Sequence, residues 1–301
     1  MYSRTIKNQK KNIVNYIINV AGILIALFFA VSISVQNFHE LNNIRMPALI
    51  IVGFVLFLIT HFIKLIRLYI IMMGMNIRFE HFLPFYIKTT FVNIMIPYKL
   101  GELFRFYCLS QETGDYKTAG LGIITERFFD TIVLFAIILP IQIFTSSHVS
   151  AFSLVLFGLL VAAFIVYTTF PALYAYFNHF WVFNRLTKRS NRFLKALEAL
   201  NDLYRTEKKL VHKRAVTIIF LSVLSWGFDF GVLYIFNYVL KGVSGLAYFN
   251  TFIHGAFSFQ NTLSITPYIL IATFCFLIYS VLRIVKLLAG RQNKENRILE
   301  S

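Results

Sequence analysis

Lys99, Arg105 and Arg127 are cations suited to holding a phosphate, and they sit in one stretch of otherwise apolar chain. The stretch opens Phe91-Val-Asn93-Ile-Met-Ile-Pro97-Tyr-Lys99-Leu-Gly101-Glu102-Leu-Phe-Arg105 and closes on Glu126-Arg127-Phe-Phe-Asp130. A guanidinium fork matches two phosphate oxygens at once, and an ammonium supplies a point charge. Glu102, Glu126 and Asp130 can pair these bases while the site is empty, or bind an amino headgroup. Ionisable groups inside a membrane are costly and by default mark a functional position. The plain structural alternative makes Glu102–Arg105 and Arg127–Asp130 internal ion pairs that tie this stretch to the span after it.

The elements that must position these groups follow from their neighbours. The segments 79–97 and 98–112 are each too short to cross about 30 Å of hydrocarbon. Pro97 joins them, removing a backbone donor and disfavouring helix just before it. Gly101 permits close backbone approach. Non-helical backbone at membrane depth is tolerated only where it is buried in protein or lines a wet cavity. The expected element is a re-entrant hairpin that enters and leaves on one side; its alternative is two ordinary short surface helices. Beyond it, Glu126 and Asp130 are four apart and share a helical face, with Arg127 between them. A span starting near Lys117 carries both carboxylates well inside the bilayer.

Composition fixes the compartment. The chain has 301 residues, is 58% hydrophobic and 14% charged, and contains 34 Phe. A soluble domain carries about 25% charged residues. The net charge of +16 sits in clusters between apolar runs. That pattern fits loops facing anionic headgroups rather than nucleic acid. Cys108 and Cys275 show no zinc or redox spacing, the seven His form no metal motif, and no phosphate-binding Gly-rich loop or nucleophile elbow occurs. No cofactor is implied.

The apolar runs predict an all-α integral membrane protein, a single transmembrane domain over 1–301. Spans are expected at 13–35, 48–73, 118–144, 151–177, 215–240 and 264–288, with hairpins at 79–112 and 246–263. The first run is longer than a signal peptide core and reads as a retained span. Lys64 and Arg67 end the second span; they read as snorkelling to the interface, with a phosphate contact as the functional reading. Asp229 lies near the middle of the fifth span. The segment 179–214 is strongly basic, with Leu194, Leu197, Leu200, Leu203 and Tyr204 at helical spacing. It reads as an amphipathic helix on the membrane surface. Placing both termini and 179–214 in the cytoplasm leaves only Arg45 and Lys241 outside, as the bias of Lys and Arg requires. The halves 1–144 and 151–288 then form an inverted repeat, an organisation common in secondary transporters.

The pattern Asn93-x3-Pro97-x-Lys99-x-Gly101-Glu102-x2-Arg105 followed by Glu126-Arg127-x2-Asp130 resembles the signature of the membrane domain of lysylphosphatidylglycerol synthases, which also occurs as free-standing flippase-like proteins. The second hairpin departs from that family: Ser258-Phe-Gln260-Asn261-Thr-Leu-Ser264 stands where members often have Pro-Gly-Gly-x-Gly-x2-Glu. The resemblance implies a protein of the cytoplasmic membrane that moves an anionic or aminoacylated phospholipid, or a lipid-linked glycan intermediate. The synthase domain of the family is not expected in this chain, so synthase activity is not expected either. Asn93, Pro97, Lys99, Gly101, Glu102, Arg105, Glu126, Arg127 and Asp130, with Arg67 and Asp229, form the candidate substrate-binding set. The alternatives are a membrane-embedded transferase acting on a lipid-phosphate donor or on phosphatidylglycerol, with Asp229 or Glu102 as base, and a scaffold for envelope or glycolipid biosynthesis enzymes.

Overall fold

The computed structural model describes residues 2–36, 47–73, 75, 77–96, 100–145, 151–183, 188–241, 271–282 and 285. Every regular element among them is helical: α1 Tyr2–Gln36, α2 Pro47–Ile71, α3 Phe79–Met95, α4 Gly101–Thr113, α5 Tyr116–Thr145, α6 Ala151–Phe183, α7 Lys188–Val211, α8 Ala215–Lys241 and α9 Ile271–Leu282. Four of them contain stretches long and apolar enough to cross a membrane: Ile13–Ser32, Ile51–Ile71, Ser153–Trp181 and Ala215–Val232. α5 has 30 residues and rises about 45 Å. It also has the length of a span, and differs in carrying Glu126, Arg127 and Asp130 along its body. Of the expected last span, α9 is the described part. The expected second hairpin at 246–263 lies outside the described residues.

The helices group into two compact units, each built from separate stretches of the sequence. The first comprises 1–58, 80–108 and 229–301. Its described core is rich in Phe: Phe91 stacks on Phe276 with ring centroids 4.1 Å apart, and Met95 lies beside Thr273. α1 turns the face of Asn15, Asn19, Gly22, Ala26 and Ala30 inward at helical spacing. Gly22 lies against the Phe104 ring, where a Cβ would collide with it.

The second unit comprises 59–79 and 109–228. Gly114, with φ +69°, ends α4 in the left-handed region that favours glycine. Asp115 then caps α5, its carboxylate accepting from the backbone N–H of Lys117 at 3.0 Å and of Thr118 at 3.2 Å. α5 and α6 are joined across their facing sides by Ser153 Oγ, which donates to Gln142 Oε1 at 2.7 Å. Arg214 clamps the end of α2 by donating to the carbonyls of Ile70 and Met73.

α7 forms over the most charged part of the sequence, as its spacing predicts, but much of its apolar face is covered by protein. It packs on α5 and α6. Phe193 meets Phe177 and Trp181, and Tyr204 meets Tyr167 and Phe170, so α7 runs antiparallel along the second half of α6. Leu197 is buried on this face, whereas Leu200 points away and is 52% exposed.

Candidate functional site

α3 and α4 return on each other as a helical hairpin. Gly101, the first residue of α4, lies so close to Asn93 that a Cβ there would collide with the Asn93 backbone. The approach lets Asn93 Nδ2 donate to Glu102 Oε1 at 2.9 Å. The other carboxylate oxygen of Glu102 lies 3.9 Å from Arg105 Nη1. At that separation the two attract as charges, beyond hydrogen-bond reach. Arg105 is 3% exposed, and its guanidinium lies 5.9 Å from the centre of the Tyr86 ring. Asn93, Glu102, Arg105 and Tyr86 thus form one polar line inside the hairpin. Pro97 and Lys99, assigned to this hairpin by sequence, lie outside the described residues.

The second unit holds a separate ion cluster. Arg67 of α2 is 1% exposed. Its Nη2 donates to Glu126 Oε1 at 2.9 Å and to Asp130 Oδ2 at 2.9 Å; its Nη1 donates to Asp130 Oδ1 and, at 2.9 Å, to Ser222 Oγ of α8. Three helices therefore meet on one guanidinium. The local reason is spacing: Ala119, Ile123, Glu126, Phe129 and Val133 place the carboxylates on the buried side of α5, and Ile218, Ser222 and Ser225 do the same for α8.

This arrangement corrects two sequence expectations. Arg67 does not snorkel; its charge is met at once by the buried carboxylate of Glu126 and the partly buried one of Asp130, so it has no need to reach the interface. The pairs Glu102–Arg105 and Arg127–Asp130 do occur, at 3.9 and 3.7 Å, but each joins residues three apart on one helix. Neither ties one element to another. Asp130 makes its bond across helices with Arg67, while the Arg127 side chain is 45% exposed and off the buried face of α5. Ser222 and Tyr86 were missed, because neither residue type signals a charge partner until the helices are packed. Asp229 is 7% exposed and, at helical spacing, shares the face of Ser222 and Ser225; it falls in the first unit.

Chemically, the hairpin holds a carboxylate and a guanidinium 3.9 Å apart, at ion-pair distance. In the Arg67 cluster both Nη groups of the guanidinium are engaged, two of the three accepting residues being anions, while Nε has no hydrogen-bond partner among the described residues.

The sequence matches the model of the Lysylphosphatidylglycerol synthase TM region over residues 16–267. No curated protein and no solved structure matches the chain significantly. With its several apolar helices of spanning length, it is a multi-pass membrane protein. As the match covers most of the 301 residues, the chain belongs to the Lysylphosphatidylglycerol synthase TM region family.

Proposed function

We propose that this protein flips an anionic or aminoacylated phospholipid, or a lipid-linked glycan intermediate, across the cytoplasmic membrane, with the α3–α4 hairpin receiving the headgroup. The observation that carries this reading is Glu102, held by Asn93 on one side and facing Arg105 at 3.9 Å on the other. A long ion pair in a segment shielded from water is a switch with two partners. An incoming phosphate takes Arg105, or an incoming ammonium takes Glu102, and the displaced group remains held by its neighbours. Arg105 keeps the Tyr86 ring, and Glu102 keeps the Asn93 amide.

The lengths of the helices support a re-entrant course. α3 has 17 residues and α4 has 13, rises of about 25 and 19 Å against about 30 Å of hydrocarbon. The charge bias supports cytoplasmic termini, so the hairpin opens toward the cytoplasm. The inverted repeat belongs to the same reading, since re-entrant segments of opposite direction give a transporter its two gates. Arg67, Glu126 and Asp130 act in this scheme as an anchor that holds α2, α5 and α8 together in the second unit.

The test is reconstitution of the full chain into vesicles carrying headgroup-labelled phosphatidylglycerol. With an impermeant quencher outside, the inner-leaflet label should become accessible faster than in protein-free vesicles. Equal rates for this lipid, for an aminoacylated lipid and for a lipid-linked glycan would contradict the proposal.

A further inference from the structure

The first unit contains a cation that neither the family match nor the lipid-flipping reading uses. Lys88 lies on α3 and is half-buried. Its Nζ donates to Asn19 Oδ1 of α1 at 2.6 Å and lies 5.8 Å from the centre of the Phe104 ring of α4. Among the described residues these are its partners, and both are neutral. A lysine at membrane depth is normally paired with a carboxylate. An amide oxygen and a ring face orient an ammonium, but they leave its charge uncompensated.

The surroundings of Lys88 are polar by construction. Asn19 Oδ1 also accepts from the Cys108 thiol at 3.6 Å. Asn19 Nδ2 donates back to the Asn15 carbonyl at 2.7 Å, which fixes the orientation of the amide. Asn15 Oδ1 accepts from the Tyr107 hydroxyl. Two asparagines one helical turn apart on α1 therefore hold Lys88 and Tyr107 on neighbouring helices. The depths agree. From Phe79 to Lys88 α3 rises about 13 Å, and from Ile13 to Asn19 α1 rises about 9 Å; between Tyr107 and the end of α4 at Thr113 the rise is again about 9 Å. With the hairpin opening to the cytoplasm, that is about 9–13 Å into a leaflet whose hydrocarbon is about 15 Å deep, along the course a headgroup would take into the hairpin.

We infer that Lys88, with Asn19 and Tyr107, forms a second anion-binding position that takes a phosphate group on its way into the hairpin. An ammonium has three protons. Asn19 takes one and aims the rest, and the phosphate supplies the negative charge that the site lacks. The lipid form of this inference rests on the headgroup reading of the hairpin. The same chemistry would also accept a soluble phosphate, and the experiment separates the two.

The experiment measures binding of labelled phosphatidylglycerol, and of labelled phosphatidylcholine as control, to the purified full chain in detergent. The variants are Lys88→Gln, Lys88→Arg, Asn19→Asp and Arg105→Gln, each checked by thermal unfolding. Lys88→Gln should weaken phosphatidylglycerol binding by about tenfold or more, since hydrogen bonds to a charged group are strong. Lys88→Arg should stay within about threefold of the parent, because the charge is kept. Asn19→Asp puts a carboxylate beside the ammonium, so it should lose anion binding while the fold is kept or strengthened. If inorganic phosphate displaces the labelled lipid from the parent and Lys88→Gln abolishes the displacement, the position accepts soluble phosphate as well. If Lys88→Gln and Asn19→Asp both fold and bind like the parent while Arg105→Gln does not, the Lys88 assignment is overturned and the hairpin reading stands. If all three bind like the parent, both are overturned.

Discussion

Arg67 and Asp130 meet end-on, with Nη1 and Nη2 of the guanidinium each on one carboxylate oxygen, across 63 residues of sequence. Glu126 takes a second bond from the same Nη2. Removing the arginine would leave two carboxylates buried together without their cation. Breaking such a pair from one side costs about 3–5 kcal/mol. Arg67→Ala should therefore lower unfolding stability in detergent by that order. The triple variant Arg67→Ala, Glu126→Gln, Asp130→Asn should recover part of the loss. Arg127→Ala should cost less than Arg67→Ala, because the Arg127 side chain is 45% exposed and its pair with Asp130 is 3.7 Å long, while Asp130 keeps its bonds to Arg67. Equal losses for Arg67→Ala and Arg127→Ala would contradict this assignment of partners.

Much of the fold is legible in the sequence, because apolar runs of spanning length have few alternatives. The helices α1, α2, α5, α6 and α8 follow those runs, and the break between α3 and α4 follows Pro97 and Gly101. The charge partners are less legible. Spacing shows pairs three or four apart, so Arg127–Asp130 and Glu102–Arg105 stand out, while the partners of Arg67 are 59 and 63 residues away. Lys88 is lost in an apolar stretch for the same reason, since Asn19 lies 69 residues before it. The amphipathic character of α7 is evident, but not what covers it. Leu200 looks inward by spacing and is exposed, because the docking face is set by Tyr167, Phe170 and Phe177 of α6.

Asp115 links a cap to acid sensitivity. Its carboxyl is held below the ordinary aspartate range, first by the hydrogen bond from Thr118 and then by the backbone N–H groups it caps. A depressed pKa adds stability above the unfolded value, and that stability is lost as pH falls through the folded value. Asp115→Ala should cost about 1 kcal/mol at neutral pH. The difference from the parent should shrink as pH falls below the usual carboxylate range. A difference independent of pH would argue against capping by the ionised group.

Glu207 behaves in the opposite sense. Burial of its carboxyl against α6 raises its pKa, and the hydrogen bond with Tyr167 offsets only part of that effect. A raised pKa gives stability that is present below the unfolded value and lost as pH rises through the folded one. Docking of α7 should therefore tighten in mild acid. Glu207→Gln, which mimics the protonated form, should raise the melting temperature at neutral pH and flatten its pH dependence. Protease accessibility of the α6–α7 turn gives a second readout. A Gln variant that loosens α7 at neutral pH would contradict the assignment.

Gly101 is where the hairpin closes. A methyl group there would collide with the Asn93 backbone, which has no freedom to rotate away. Overpacking of this kind costs about 1–3 kcal/mol. Gly101→Ala should push α4 away from α3 and break the bond from Asn93 to Glu102. The expected result is a folded protein with lower thermal stability and reduced lipid transport. Parental stability and transport together would show that the close approach is not needed.

The central claim is that the Glu102–Arg105 pair of the hairpin handles the headgroup. Its most direct test is the rate at which labelled lipid becomes accessible in vesicles containing the parent, Arg105→Lys, Arg105→Gln or Glu102→Gln, each shown to be folded and inserted. Arg105→Lys keeps the charge and loses the planar fork, so transport should fall. Arg105→Gln loses both and should be slower still. Glu102→Gln should impair gating without loss of fold. If Arg105→Gln and Glu102→Gln both flip lipid at the parental rate, the hairpin is structural and the account is contradicted.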